Sequence, residues 1–299
     1  MYVIFRINIK YVNLKGIEMK LSIIAIAIAA ASMTGAAQAE LKVSGDVTVS
    51  YQEDGTGGSS SFDGAGTEVI FDASQKVGNL TVFGSATANI GGTGSTVTAD
   101  DVFLGLKGAF GTVKIGDTDN GCDTVDTGWV ADDVFISHDS GGCAGSDTSN
   151  VTYSNTRGAM TYAASVSPED SADNFAVGIK GKMGPVTASF GYENGDLDGD
   201  ATTSDVDNVV LGLSGNYGPV AVGVRMNQMD GGDTDFGYTA QYAAGANKFY
   251  AGFGDVTDQD SKYLGYNRSI GKNTIAVIEW TDKDKLVDNQ VAVGLKHSF

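Results

Sequence analysis

The chain has 299 residues, with 37 Asp and Glu against 19 Lys and Arg, 42 Gly, 3 Pro and 2 Cys. A net charge of −18 argues against nucleic-acid binding, because phosphates need Lys and Arg to neutralise them. An apolar content of 41% excludes a disordered chain, two cysteines exclude a disulfide-dense scaffold or an all-cysteine zinc site, and so much Gly works against long helices.

The first element is an export signal. Met19-Lys20 precedes the apolar run Leu21 to Ala31, which is followed by Ala37-Gln38-Ala39. A basic start, a short apolar core and an A-x-A end predict cleavage after Ala39. The core is too short to span a bilayer, which takes about 20 apolar residues. Residues 1–18 form an extension before a complete signal, so translation starts either at Met1 or at Met19. Removing residues 1–39 takes away Arg6, Lys10, Lys15, Lys20 and Glu18, leaving fifteen basic and thirty-six acidic residues and a net charge of −21.

From residue 40 onwards the pattern has period two. Leu41, Val43, Val47, Val49 and Tyr51 share one face, whereas Lys42, Ser44, Asp46, Thr48 and Ser50 share the other, as in a strand with one apolar side. Sixteen such segments follow one another: 41–51, 67–76, 80–90, 101–108, 111–117, 150–155, 158–166, 174–181, 186–193, 207–216, 220–228, 235–242, 248–255, 262–269, 274–281 and 289–299. Most have about the 9–11 residues that a tilted strand needs to cross a bilayer. The segments 111–117 and 150–155 are short, and without them fourteen strands remain.

The connections alternate in length. Short ones include Val77-Gly78-Asn79, Asn155-Thr156-Arg157, Met183-Gly184-Pro185 and Tyr217-Gly218-Pro219, and between them come mostly longer, acidic ones such as 52–66, 118–149 and 194–206. That alternation predicts an all-β, antiparallel up-and-down transmembrane β-barrel, with short turns at one rim and long loops at the other. A secreted β-sandwich would also alternate but would carry more Lys and Glu on its outer face, and a β-solenoid would need a fixed repeat period. Tyr51, Tyr192 and Trp280 fall beside long loops, and Tyr217, Tyr242, Phe249 and Phe299 beside short turns or the chain end. They fit two aromatic girdles at headgroup depth. Phe83, Phe103 and Tyr250 instead fall on the opposite parity.

The last nine residues, Val291-Ala292-Val293-Gly294-Leu295-Lys296-His297-Ser298-Phe299, resemble the closing strand of Gram-negative outer-membrane porins. The terminal Phe299 with Leu295 behind it resembles the signal read by the barrel-assembly machinery. His297 stands where family members often carry an aromatic residue. With the signal peptide and the sixteen segments, residues 40–299 resemble the general porin family. The resemblance implies a homotrimer of sixteen-stranded barrels in the outer membrane of a Gram-negative bacterium, surrounded by lipid and lipopolysaccharide. It also implies that the third long loop, here 118–149, folds into the lumen and narrows it. That loop lacks a Pro-Glu-Phe-Gly-Gly-like stretch.

No Lys or Arg stands between Lys114 and Arg157, an interval that holds Asp117, Asp119, Asp123, Asp126, Asp132, Asp133, Asp139 and Asp147. The first six are the expected acidic side of the constriction, and acidic rings favour cations. Lys42, Lys107, Lys114 and Arg225 have lumen parity and, by the family resemblance, make the facing basic side. Cys122 and Cys143 lie in the same loop and meet an oxidising periplasm, so they are expected to form a disulfide, with two free thiols as the alternative. His138 and His297 are the only histidines, which leaves no metal or catalytic constellation. The expected function is a diffusion channel for small hydrophilic solutes and cations, with no cofactor, metal or enzymatic step. A nutrient-specific channel and a secreted β-rich adhesin are the alternatives.

Overall fold

A computed structural model of the chain describes residues 40–54, 61–63, 66–90, 97–131, 134–136, 142–143, 150–167, 174–195, 206–230, 232, 234–256, 259–283 and 287–299. The expected signal peptide, Asp132, Asp133, His138, Asp139 and Asp147 lie outside these residues.

In chain order the strands are β1 (Glu40–Asp54), β2 (Ser61–Asp63), β3 (Thr67–Val77), β4 (Leu80–Ile90), β5 (Val97–Gly108) and β6 (Gly111–Gly116). After the third long loop come β7 (Asn150–Arg157), β8 (Met160–Ser167), β9 (Asn174–Met183), β10 (Val186–Gly195), β11 (Val206–Tyr217) and β12 (Val220–Met229). The last are β13 (Thr234–Ala244), β14 (Asn247–Val256), β15 (Gln259–Ser269), β16 (Thr274–Lys283) and β17 (Val287–Ser298). Each long strand pairs antiparallel with the next, and β1 pairs with β17, so the sheet closes on itself. The three-residue β2 only extends the pairing at the long-loop end of β1. The barrel therefore has sixteen crossing strands, and the short β6 and β7 belong to it.

The strands hold because apolar and polar residues have exchanged their usual places. On β1, Leu41, Val43, Val47 and Val49 are 47–54% exposed, whereas Thr48 and Ser50 are 2% and 1% exposed. An outward apolar band with a polar interior fits a barrel set in hydrocarbon. Among the described residues no helix is long and apolar enough to cross a membrane, so the crossing is made by strands. A closed barrel leaves no unpaired edge, and every strand finds its backbone partners within the sheet.

Five short turns carry Gly first: Gly78, Gly158, Gly184, Gly218 and Gly245, with φ between +60° and +63°. A positive φ at the first of two turn positions matches the right-handed twist of the flanking strands. Pro185 and Pro219 follow at the second position, where a φ near −65° fits. The same chemistry corrects one turn. Strand β7 runs on through Asn155, Thr156 and Arg157, and the chain reverses at Gly158-Ala159, because Gly158 rather than Asn155 supplies the positive φ. At the chain end, Phe299 exchanges two backbone hydrogen bonds with Gly45, at 3.0 and 3.3 Å, and so completes the closure.

Candidate functional site: the inward loop and the free wall

The loop after β6 does not leave the barrel. It descends along the inner wall, meeting successive strands. Asn150 and Thr152 of β7 donate to the carbonyls of Thr118 and Asp119 at 2.9 and 2.8 Å. Gly121 N–H donates to Ser165 of β8 at 2.9 Å, and Thr127 meets Ser214 of β11 at 2.9 Å. Val130 N–H donates to Thr239 of β13 at 3.0 Å. Backbone fits against backbone because the wall carries glycine along this track. A Cβ on Gly212 or Gly223 would run into the carbonyls of Thr127 and Gly128, and one on Gly178 into Val125.

Two buried wall carboxylates hold the loop. Glu193 of β10, 1% exposed, accepts from Asn120 Nδ2 at 2.8 Å and from Asn208 Nδ2 at 2.6 Å. Asn120 also accepts the N–H groups of Cys122 and Asp123 on its Oδ1, at 2.7 and 3.0 Å. It thereby starts the 3-10 turn Asp123–Val125. Glu279 of β16 is fully buried. It accepts the N–H groups of Val134, Phe135 and Ile136 at 2.8–3.0 Å and the hydroxyls of Tyr250 and Tyr263 at 2.9 and 2.8 Å. Five donors on two oxygens compensate the burial of a carboxylate.

Between these two anchors, Asp126 pairs with Arg225 of β12 at 2.8 Å, the side chains being 13% and 7% exposed. Arg225 also lies 5.9 Å from the centroid of the Trp129 ring. Cys122 and Cys143 are joined by a disulfide. It packs with Ala176 and Val210 in a small apolar cluster against the wall.

The other expected residues are placed as follows. Asp117 opens the loop, its N–H donating to Val102 O at 3.0 Å. Asp119 is exposed. Asp123 begins the 3-10 turn and is half-buried. Lys114 is on β6 with its Nζ 4.6 Å from the Phe103 ring centroid. Lys42 and Lys107 stand near the short-turn rim, opposite Asp72 and opposite Thr81 and Thr112. Among the described residues, Arg225 alone of the four expected basic residues is ion-paired with a loop carboxylate. Leu295 and His297 point outwards on β17, and His297 Nδ1 shares a 2.8 Å hydrogen bond with Thr274.

Among the described residues, the wall side chains that anchor the loop lie on β7, β8, β10–β13 and β16, and the inner faces of β3–β6 make the facing, free wall, where Phe83 and Phe103 are half-buried and Ser85 and Thr87 are buried. Carboxylates gather on that free wall. Asp100 accepts from Asn89 Nδ2 at 2.8 Å. Asp101 lies within electrostatic reach of Asp100, Asp119 and Lys114, and Glu68 of Asp46, Asp100, Asp101 and Lys296. The base of the loop and the free wall thus present acid to the same stretch of lumen.

The functional residues that the sequence pattern missed are Glu193 and Glu279. Both have lumen parity, and both are Glu in a chain whose acids are mostly Asp. The donors that tie them to the loop are Asn120 and the N–H groups of Val134, Phe135 and Ile136.

A closed sixteen-stranded barrel with an inward third loop defines a channel. Residues 25–286 match the family model of the Gram-negative porins, and the chain belongs to that family. Its place is the outer membrane, its barrel is a diffusion channel, and the family and fold are those of non-enzymatic channels; a secreted adhesin is set aside. The fold is shared with OmpT of Vibrio cholerae, an outer membrane protein solved in a trimer form, at 15% identity over 87% of this chain and 99% of that chain, TM-score 0.70. It is shared with the anion-selective porin from Comamonas acidovorans at 17% identity over 87% and 100% of the two chains, TM-score 0.66. OmpF of Salmonella typhi, solved in complex with daunomycin, is similar at 14% identity over 87% and 97%, TM-score 0.69. No curated protein matches the chain.

Proposed function

We propose that the protein is a general diffusion channel with a preference for cations. Small hydrophilic solutes pass between the inward loop and the free wall. The observation that carries this reading is the shared acid of loop base and free wall: Asp119 with Asp100, Asp101 and Glu68, set against Lys114. Arg225 adds little net positive charge to the passage, because Asp126 neutralises it. Between low-dielectric walls such an excess concentrates cations and repels anions.

The partners follow from the family and the outer surface. A homotrimer is the expected assembly, as in the trimer form of the Vibrio cholerae protein. Outer-membrane lipid and lipopolysaccharide would cover the rest of the apolar band. The strand ending in Leu295, His297 and Phe299 would be the segment offered to the assembly machinery.

Liposome swelling tests the transport reading. Neutral sugars should enter at rates that fall smoothly with size and do not saturate, and small cationic solutes should enter faster than anionic ones of equal size. Saturable entry of a single sugar, or faster entry of the anions, would overturn it.

A further inference from the structure

Among the described residues, four aromatic rings of the strands turn inwards, and they divide into two pairs. Tyr250 and Tyr263 are buried under the loop, 3% and 1% exposed, with both hydroxyls on Glu279. Phe83 of β4 and Phe103 of β5 lie on the wall that the loop leaves free, and both are only half-buried. Their centroids are 6.1 Å apart with planes at 79°. Phe83 lies over Gly105, where a Cβ would run into its ring. Lys114, in register with Gly105, holds its Nζ 4.6 Å from the Phe103 centroid. Lys107 is exposed one inward position further along β5.

The neighbouring inward positions on these strands are polar: Thr81 and Thr112 are half-buried, and Ser85 and Thr87 are buried. Half-buried rings keep part of their apolar surface in contact with water, and that part is available to a solute. Their outcome is an apolar shelf edged by ammonium groups.

We propose that Phe83, Phe103, Lys107 and Lys114 form a subsite in the passage for solutes that combine a flat apolar ring with a carboxylate, the simplest being benzoate. The solute ring packs on the edge-to-face pair. Its carboxylate then meets Lys114, which already stands over the shelf and needs no reordering. This rests on the channel reading and refines it. Preference among small ions follows the summed charge of the passage, whereas the subsite acts by contact on one class of solute.

The test is planar-bilayer recording in KCl, with potassium benzoate or potassium acetate added at equal ionic strength. Benzoate should reduce the open-channel current at concentrations where acetate does not. Phe83→Leu combined with Phe103→Leu keeps apolar volume without rings and should weaken the benzoate effect about tenfold, roughly threefold per ring. Lys114→Gln, which keeps the rings, should weaken it too. The KCl current of each variant reports that its barrel is folded and open. A normal KCl current with equal effects of benzoate and acetate overturns the subsite alone, as does a benzoate effect undiminished in either variant. No current in plain KCl overturns the channel reading and the subsite with it.

Discussion

Glu279 shows how much one side chain can hold. Its carboxylate collects three loop N–H groups and two tyrosine hydroxyls with no water exposure. Glu279→Gln replaces one accepting oxygen with an NH2 that faces donors, which should weaken attachment of the loop tip by about 3 kcal/mol. Faster hydrogen exchange at residues 134–136 and a flickering single-channel current are the expected readouts. Exchange as slow as in the parent protein would show that the clamp is not needed. The Asp126–Arg225 pair makes a prediction of opposite signs. Arg225→Gln removes the positive member of the pair and should raise cation preference, while Asp126→Asn should lower it; both should destabilise the loop by about 3–5 kcal/mol, because a largely buried ion pair is broken. Reversal potentials of the two variants give the comparison. At this scale Asp126, Arg225, Cys122 and Cys143 were legible from charge, parity and compartment. Glu193 and Glu279 were not, because their meaning depends on donors more than seventy positions away.

The decisive element is the third long loop. The disulfide closes residues 122–143 into a ring, which is pinned to Glu193 through Asn120 just ahead of it and to Glu279 directly. In the chain-entropy account, closing about twenty residues is worth about 3 kcal/mol. Replacing both cysteines by Ser should therefore lower the thermal midpoint in detergent and raise loop exchange while the strands stay intact. An unchanged midpoint would mean that the hydrogen-bonded anchors alone hold the loop. Gly212→Val should have a related effect, since its side chain would occupy the path of the Thr127 carbonyl. Overpacking of this kind costs about 1–3 kcal/mol. The strands themselves were legible, because alternation of apolar and polar residues survives in most of them, the short β6 and β7 included, although β11 and β16 carry the buried inward Val210 and Val277. The turn at Gly158 was misread because Asn155 is a turn former by type, whereas the positive φ at this reversal selects Gly. The path of the loop was not legible at all from periodicity. It follows a glycine track that is spread over β9, β11 and β12 and becomes a track only once those strands are paired.

For the whole molecule, pairing of the first strand, β1, with the last, β17, closes the barrel, with the Phe299 backbone on Gly45. A barrel with no open edge should resist dodecyl sulfate in the cold and change gel mobility on heating; a homotrimer adds a slower native band that heating removes. In the proposed function, the acidic excess that at first only excluded nucleic acids acts through the carboxylates at the loop base and the free wall. Its effect should fade with salt, because the screening length falls from about 10 Å at 0.1 M to about 3 Å at 1 M. The most direct test of the account is the zero-current potential across a bilayer holding the protein under a tenfold KCl gradient, repeated with Asp119→Asn and Asp101→Asn combined. The account predicts a potential of the sign set by potassium, reduced in the double variant and in concentrated salt. A potential of the chloride sign, or one that the double variant leaves unchanged, would contradict it.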